Sequence, residues 1–365
     1  MSAGALIFPV IMTIRRDPPF GRPPGPPPEQ LNGARPGSFR PRPFQPAWWL
    51  PGPHLQTVVG KFLRPAPPLS LRRLRLDTAD GDFLDLDVGP DPSPDAPVAV
   101  VLHGLEGSTR RAYLRLTLHA LHRHGILAVG MNFRGCSGEP NRLPRFYHSG
   151  ETGDLDVVLR ELGRRFPGRP LGAVGFSLGG NVLLKHLGET TARGGDQTVA
   201  AAVAISVPFD LAGGTVVMEQ GLMGRVYTHY FLSSLLGKVE EKRELLESLL
   251  DLDRVRRART LREFDDAATA PLHGFRNADE YYTLSSSGPF LDQIRVPTLL
   301  LQSRDDPFLP EDRGPEERAA ANPWIVPAFV PTGGHVGFVQ GPTPWGRGFW
   351  AEEEAARFLA ASLGA

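Results

Sequence analysis

The run Leu171–Gly180, L-G-A-V-G-F-S-L-G-G, limits what this chain can fold into more than any other segment. An apolar stretch of strand length ends in G-x-S-x-G, with Ser177 at its centre. Leu171–Phe176 predicts a short buried strand and Gly180–Glu189 predicts a helix, so the chain must turn sharply between them. Such a strand–turn–helix holds a serine hydroxyl at the apex of a strained turn, and Gly175 and Gly179 leave room beside it. A bare G-x-S-x-G carries little weight in a chain with 41 glycines. The strand before it and the helix after it supply the weight.

The segments around this unit follow one rhythm. Leu71–Val88 alternates apolar residues on either side of Asp80-Gly81-Asp82, a hairpin signal. Val98–Leu102 predicts a strand, Arg111–His124 a helix, Ile126–Met131 a strand, Asp154–Phe166 a helix, and Val199–Ser206 a further strand. Alternation of buried strand and amphipathic helix implies an α/β fold with a mostly parallel sheet covered on both faces. The rhythm breaks over Pro208–Pro289, where long helical stretches such as Tyr230–Leu250 predict a helical cap inserted between sheet strands. It resumes with strands Thr298–Gln302 and Trp324–Val330 and a closing helix near Trp350–Leu363.

The length of 365 residues suits one large α/β domain carrying an insertion. Forty basic and forty acidic side chains balance to zero net charge, which excludes the basic field a nucleic-acid binder needs. The single cysteine, Cys136, excludes an intrachain disulfide and fits a reducing, cytoplasmic setting. It sits in F-R-G-C-S-G with no local pattern of a cysteine enzyme, and reads as a structural thiol. Ala5–Ile14 is apolar but too short to span a bilayer, and Arg15 and Arg16 follow it where a signal peptide carries its cations first. Residues 17–45 are dense in Pro, Gly and Arg, so residues 1–45 are expected to form a tail outside the fold, with Met12 as an alternative start. The folded domain is then expected over residues 46–365, with its cap at about 208–289.

A serine hydroxyl is a weak nucleophile at neutral pH and needs a base, most often a histidine oriented by a carboxylate. On strand–turn–helix scaffolds the order along the chain is serine, acid, histidine. The strand ending at Ser303 runs into Arg304-Asp305-Asp306-Pro307-Phe308-Leu309-Pro310, where an orienting acid belongs. The spacing from Ser303 to Pro310 favours Asp306, with Asp305 as the competing choice. His335 follows the last apolar strand in T-G-G-H-V-G-F, and its glycines let a loop carry the imidazole toward Ser177. Donors for an oxyanion are expected from the N–H of Leu178 and the N–H of Leu105, the latter in His103-Gly104-Leu105-Glu106-Gly107-Ser108. His103, directly ahead of that loop, is expected to brace it. His119, His122 and His124 fall on one helix and read as structural. The chain has no H-E-x-x-H, no cysteine cluster and no phosphate-binding G-x-x-x-x-G-K-[ST], so neither a metal nor a cofactor is expected.

Together these segments resemble the YheT-type branch of the α/β-hydrolase superfamily, which includes ABHD-type lipid esterases. The matching motifs are Pro53-His54-Leu55-Gln56-Thr57, the His103–Ser108 loop and Asn132-Phe133-Arg134-Gly135-Cys136-Ser137-Gly138. Gly175–Asn181, Asp305-Asp306-Pro307 and Gly333–Phe338 complete the set, which spans about residues 46–360. The resemblance implies a triad of Ser177, an aspartate of the 305–306 pair and His335, and a carboxylic ester as substrate. Relatives of this branch also include alcohol acyltransferases, so acyl transfer through the same acyl-enzyme is the enzymatic alternative. A binding scaffold without turnover is the non-enzymatic one. The apolar cap suggests a small-molecule ester with an apolar acyl group as the partner. The sequence carries no signal for the oligomeric state.

Overall fold

The computed structural model describes residues 39–310 and 314–365. The proposed tail therefore lies outside the described residues up to position 38, as does the alternative start at Met12. From residue 39 the chain already packs on the domain: Phe39 meets Phe358 edge-on at 5.0 Å, and Phe44 lies 5.3 Å from Trp350. The indole of Trp350 donates to the Arg42 carbonyl at 3.0 Å. Composition alone put these residues outside the fold, but Phe39, Phe44 and the Arg42 backbone join residues 39–45 to the closing helix.

Among the described residues eight strands form one sheet, in the order β1-β2-β4-β3-β5-β6-β7-β8. β1 (Arg72–Asp77) and β2 (Phe83–Val88) are the expected hairpin, turning at Asp80-Gly81-Asp82 with Gly81 at φ 86°. β2 also pairs antiparallel with β4 (Leu127–Asn132). The remaining pairs are parallel and join β4, β3 (Val98–Leu102), β5 (Leu171–Phe176), β6 (Ala201–Ile205), β7 (Thr298–Ser303) and β8 (Ile325–Val330). Strands covered on both faces need apolar residues at every position, and all five residues of β3 are fully buried. Val98, Val100 and Leu102 face one layer, with helices α3 (Thr152–Arg165) and α4 (Leu178–Ala192). Ala99 and Val101 face the other, with α2 (Ala112–Arg123) and the closing helix Trp350–Leu363. The strand period of two thus splits the core into two layers.

Before β1, Pro53–Leu63 forms helix α1, started by a proline in its first turn. Between β6 and β7 the described chain is helical. It runs through α5 (Leu211–Met218) and α6 (Gly221–Glu241), then short helices, to Ala278–Ser285. The expected helix Tyr230–Leu250 is instead two: α6 starts earlier and ends at Lys242. The Lys242 ammonium turns inward there, donating to Asn141 Oδ1 at 2.9 Å and to the Leu143 and Arg145 carbonyls. Burying that charge on the core side breaks a pattern that periodicity alone continues. No helix among the described residues is long and apolar enough to cross a membrane.

Candidate active site

Ser177 joins β5 to α4 with φ 52° and ψ −120°, a left-handed conformation unusual for a residue with a side chain. Its N–H donates to the Ile205 carbonyl of β6 at 2.8 Å, and its carbonyl accepts from Asn181 N–H, the first bond of the helix. The flanking glycines are needed because the helix starts hard against the sheet. A Cβ on Gly175 would lie 2.5 Å from the Gly179 oxygen, and one on Gly179 would lie 2.6 Å from the His103 oxygen.

His335 reaches this serine from the loop after β8. Its Nε2 lies 2.9 Å from Ser177 Oγ, and its Nδ1 lies 2.9 and 3.1 Å from the two oxygens of Asp306. Asp306 is buried in the turn after β7 and also accepts from Gln302 Nε2 and from the Phe308 N–H. Because Asp306 can only accept, Nδ1 carries the proton and Nε2 is left to accept from the serine hydroxyl. The Phe308 ring lies against the imidazole with centroids 4.2 Å apart, fixing its plane. Asp305 does something else. It accepts from Ser303 Oγ and, at 2.9 Å, from the Gly334 N–H, tying the end of β7 to the histidine loop.

The histidine loop is held by residues distant in sequence. His335 N–H donates to Thr57 Oγ1 of α1, and Val336 N–H donates to Ser206 Oγ at the end of β6, each at 2.9 Å. Gln56 bonds Val339 in both directions, through 3.2 and 2.8 Å contacts. Gly334 has φ 63°, and a Cβ there would meet the Pro53 oxygen at 2.5 Å. Arg64, paired with Glu352, donates to the Val336 and Gly337 carbonyls. Sequence reasoning quoted the Pro53–Thr57 motif only as a likeness, and its part in the site was missed. The one signal was a Gln-Thr pair inside an apolar helix, where polar side chains need partners.

The loop after β3 lies across from the serine, with Gly104 close enough that a Cβ on it would sit 3.1 Å from Ser177 Cβ. Its N–H groups have separate fates: Gly104 donates to Tyr113 Oη, Glu106 to Tyr147 Oη, and Gly107 to the Gly104 carbonyl. Among the described residues the Leu105 N–H has no such partner. The Leu178 N–H, in the first turn of α4, is one of the donors a helix start leaves open. His103 is fully buried; it donates from Nδ1 to the Gly104 carbonyl at 2.7 Å and accepts at Nε2 from Phe133 N–H at 3.2 Å. Burial drives its pKa down to about 4, so it stays neutral and braces the loop.

Above Ser177 a cavity of about 130 Å³ opens between the sheet and the inserted helices. Leu178, Leu211, Met218, Phe231, Leu235 and Phe264 give it an apolar wall, while Asp265, Thr269, His148 and His273 add polar groups. A volume near that of a cavity that admits benzene fits a small group; a long acyl chain requires side chains or the inserted helices to move. Burial lowers His148 to about 3, so it stays neutral, and raises Asp265 to about 6. His148, His273 and Glu151 cluster at the cavity edge, but Arg145 already occupies Glu151 and Gly150 N–H occupies His148 Nδ1. A cation there would have to compete with the Arg145 guanidinium for Glu151.

Comparison with known proteins agrees with this architecture. The profile of the alpha/beta hydrolase fold family matches residues 97–342. YheT of Escherichia coli strain K12, an esterase by name, is 40% identical over 292 residues, 79% of this chain and 84% of its own. The phospholipase ABHD3 of Mus musculus is 32% identical over 308 residues, 82% of this chain and 74% of its own. The Pyrococcus furiosus esterase, a solved structure, superposes with a TM-score of 0.53 at 19% identity, over 81% of this chain and 92% of its own, a likeness of fold alone. With the sheet order and these matches together, the chain belongs to the α/β-hydrolase fold family, in the branch of YheT and the ABHD phospholipases.

Proposed function

We propose that this protein hydrolyses carboxylic esters through a Ser177–His335–Asp306 triad and an acyl-enzyme. The observation that carries the reading is the continuous hydrogen-bond path from Ser177 Oγ through His335 to Asp306, each link 2.9 Å. As Ser177 Oγ attacks the acyl carbonyl, His335 Nε2 takes its proton, and Asp306 stabilises the imidazolium through Nδ1–H. Negative charge gathers on the former carbonyl oxygen, where the Leu105 and Leu178 N–H groups receive it. Collapse breaks the bond to the alcohol, which leaves with the proton from Nε2. Water then enters, gives a proton to His335, and releases the acid from Ser177 by the same steps in reverse order. The apolar cavity wall supports an acyl group as the part recognised above the serine. The names of the relatives, an esterase, a phospholipase and a monoacylglycerol lipase, support an ester as the bond cleaved.

Reaction with a fluorophosphonate, read by intact mass and peptide mapping, tests the nucleophile, and a panel of p-nitrophenyl esters of rising chain length tests the substrate. The expected result is one adduct on Ser177, absent in folded Ser177→Ala, with turnover of short esters lost in the same variant. A folded wild type with neither adduct nor turnover would overturn the proposal.

A further inference from the structure

Glu106 stands out among the groups the mechanism does not use. It follows Leu105 directly, is 5% exposed, and has φ 54°, a left-handed conformation that turns the backbone away from an extended path. The Tyr147 hydroxyl closes a tight loop on it, accepting from the Glu106 N–H at 2.7 Å and donating to Oε1 at 2.8 Å. Arg111 Nη2 holds its carbonyl at 2.9 Å. The rest of the carboxylate is satisfied from the inserted segment. Ser234 Oγ donates to Oε2, and Lys238 Nζ donates to Oε1 at 2.8 Å, both from one face of α6 a turn apart. Burial alone would raise the Glu106 pKa, but Lys238, Ser234 and the Tyr147 hydroxyl together outweigh it and hold the carboxyl below its usual value. Lys238 also touches Cys136 Sγ at 3.0 Å, and burial drives that thiol up to about 11, leaving it a neutral neighbour.

We propose that Glu106 is a positioning residue for the oxyanion donor, and that its pairing with Lys238 and Ser234 couples the seating of α6 to the aim of the Leu105 N–H. This rests on the ester-hydrolase reading above. Two of the bonds that fix Glu106 come from α6, so displacement of that helix leaves a carboxylate beside the oxyanion loop without its cation. Seating α6 over substrate then completes the donor pair, and the loop is ordered for the transition state at the moment the cavity closes. Phe231 and Leu235 of α6 line the apolar wall but are held there by their own packing on Met218, Tyr227, Leu261 and Phe308, so loss of the pairing alone falls on the rate of the chemical step.

The test measures kcat and KM for a short p-nitrophenyl ester, and inhibition by a trifluoromethyl ketone, whose adduct with Ser177 places an anionic oxygen at the donors. Wild type is compared with Glu106→Gln, Lys238→Met, Lys238→Arg and the Glu106→Gln/Lys238→Met double variant. Loss of one oxyanion donor lowers kcat about 10²–10³-fold, so a misaimed donor is expected to lower it about 10–100-fold. KM should stay within about twofold, the ketone should weaken in step with kcat, and Lys238→Arg should recover most of the loss. The double variant should be no worse than the poorer single, because both break one pairing. If Glu106→Gln fails to fold, Lys238→Met carries the test, since its methylene stem is conserved and its side chain is 18% exposed. Kcat within twofold of wild type in folded Lys238→Met, beside an active wild type, would overturn this proposal and leave the hydrolase reading standing. An inactive wild type without a Ser177 adduct would overturn both.

Discussion

Asp305 and Asp306 are neighbours in one turn, yet they face different partners. Asp306 accepts from the histidine Nδ1, while Asp305 accepts from the Gly334 N–H that begins the histidine loop. The first is placed to fix a tautomer and stabilise a charge, the second to hold a loop. Asp306→Asn offers the Nδ1 position a donor or a poorer acceptor, and a change of this kind in a serine triad lowers kcat about 10⁴-fold with geometry retained. Asp305→Asn keeps an acceptor oxygen for Gly334 and is expected to cost about tenfold or less. Kcat for a short ester, with melting temperature as the folding control, checks the pair. Equal losses in the two variants would assign the triad acid wrongly.

At the scale of elements, the strand–turn–helix of β5 and α4 depends on how closely the two can approach. The space beside Gly175 is closed by backbone atoms of Gly179 and Gly180, which cannot rotate away as a side chain can. Gly175→Ala is therefore expected to destabilise by more than about 3 kcal/mol, the upper end of ordinary overpacking. Gly237 is a control within α6: it is exposed and nothing lies within 4 Å of a Cβ there. Gly237→Ala is expected to stabilise by about 1 kcal/mol through helix propensity alone. Urea unfolding of the two variants tests both signs, and a neutral Gly175→Ala would mean that the serine turn is looser than its contacts imply.

Across the whole molecule, one buried cation ties together segments that the sheet alone does not. Arg134, 4% exposed, donates to Asp80 and Asp82 of the hairpin turn at 2.9 Å and to both oxygens of Asp154 in α3 at 2.7 and 2.8 Å. Removing one partner from such a cluster leaves the others charged without compensation, so Arg134→Met is expected to destabilise by about 3–5 kcal/mol. The pH dependence from Asp82 has a definite sign, opposed in part by Asp154, whose carboxyl is pushed up by burial. Burial pushes the Asp82 carboxyl up, but Asn141, the Arg142 N–H and Arg134 outweigh it and hold it below 3.8. A carboxyl depressed in the folded state adds stability above its unfolded value and loses it as pH falls through the folded one. Asp80, Asp85 and Asp87 shift in the same direction. Unfolding free energy should therefore drop from about pH 5 downward, and Asp82→Asn should flatten that drop while lowering stability at pH 7. A slope unchanged by Asp82→Asn would remove this cluster as its source.

The strands, the helices between them and the serine turn were legible because they rest on local patterns. Apolar runs mark strands buried on both faces, and Gly175, Ser177 and Gly179 mark a turn only small residues can make. Hydrogen-bonding chemistry and chain order put His335 and the 305–306 pair on the short list for the same reason. The spacing from Ser303 to Pro310 favours Asp306 over Asp305, but a one-residue step in a turn reverses a side chain, and the contact of Asp306 with the imidazole comes only with the packed loop. The chain could not say that Thr57 and Ser206 hold the histidine loop, that Glu106 binds α6, or that α6 ends where Lys242 turns inward. Those contacts join residues separated by about 100 to 280 positions. Local propensity and period act over a turn or a strand, whereas a buried polar group finds its partner only when the packed sheet brings the two together.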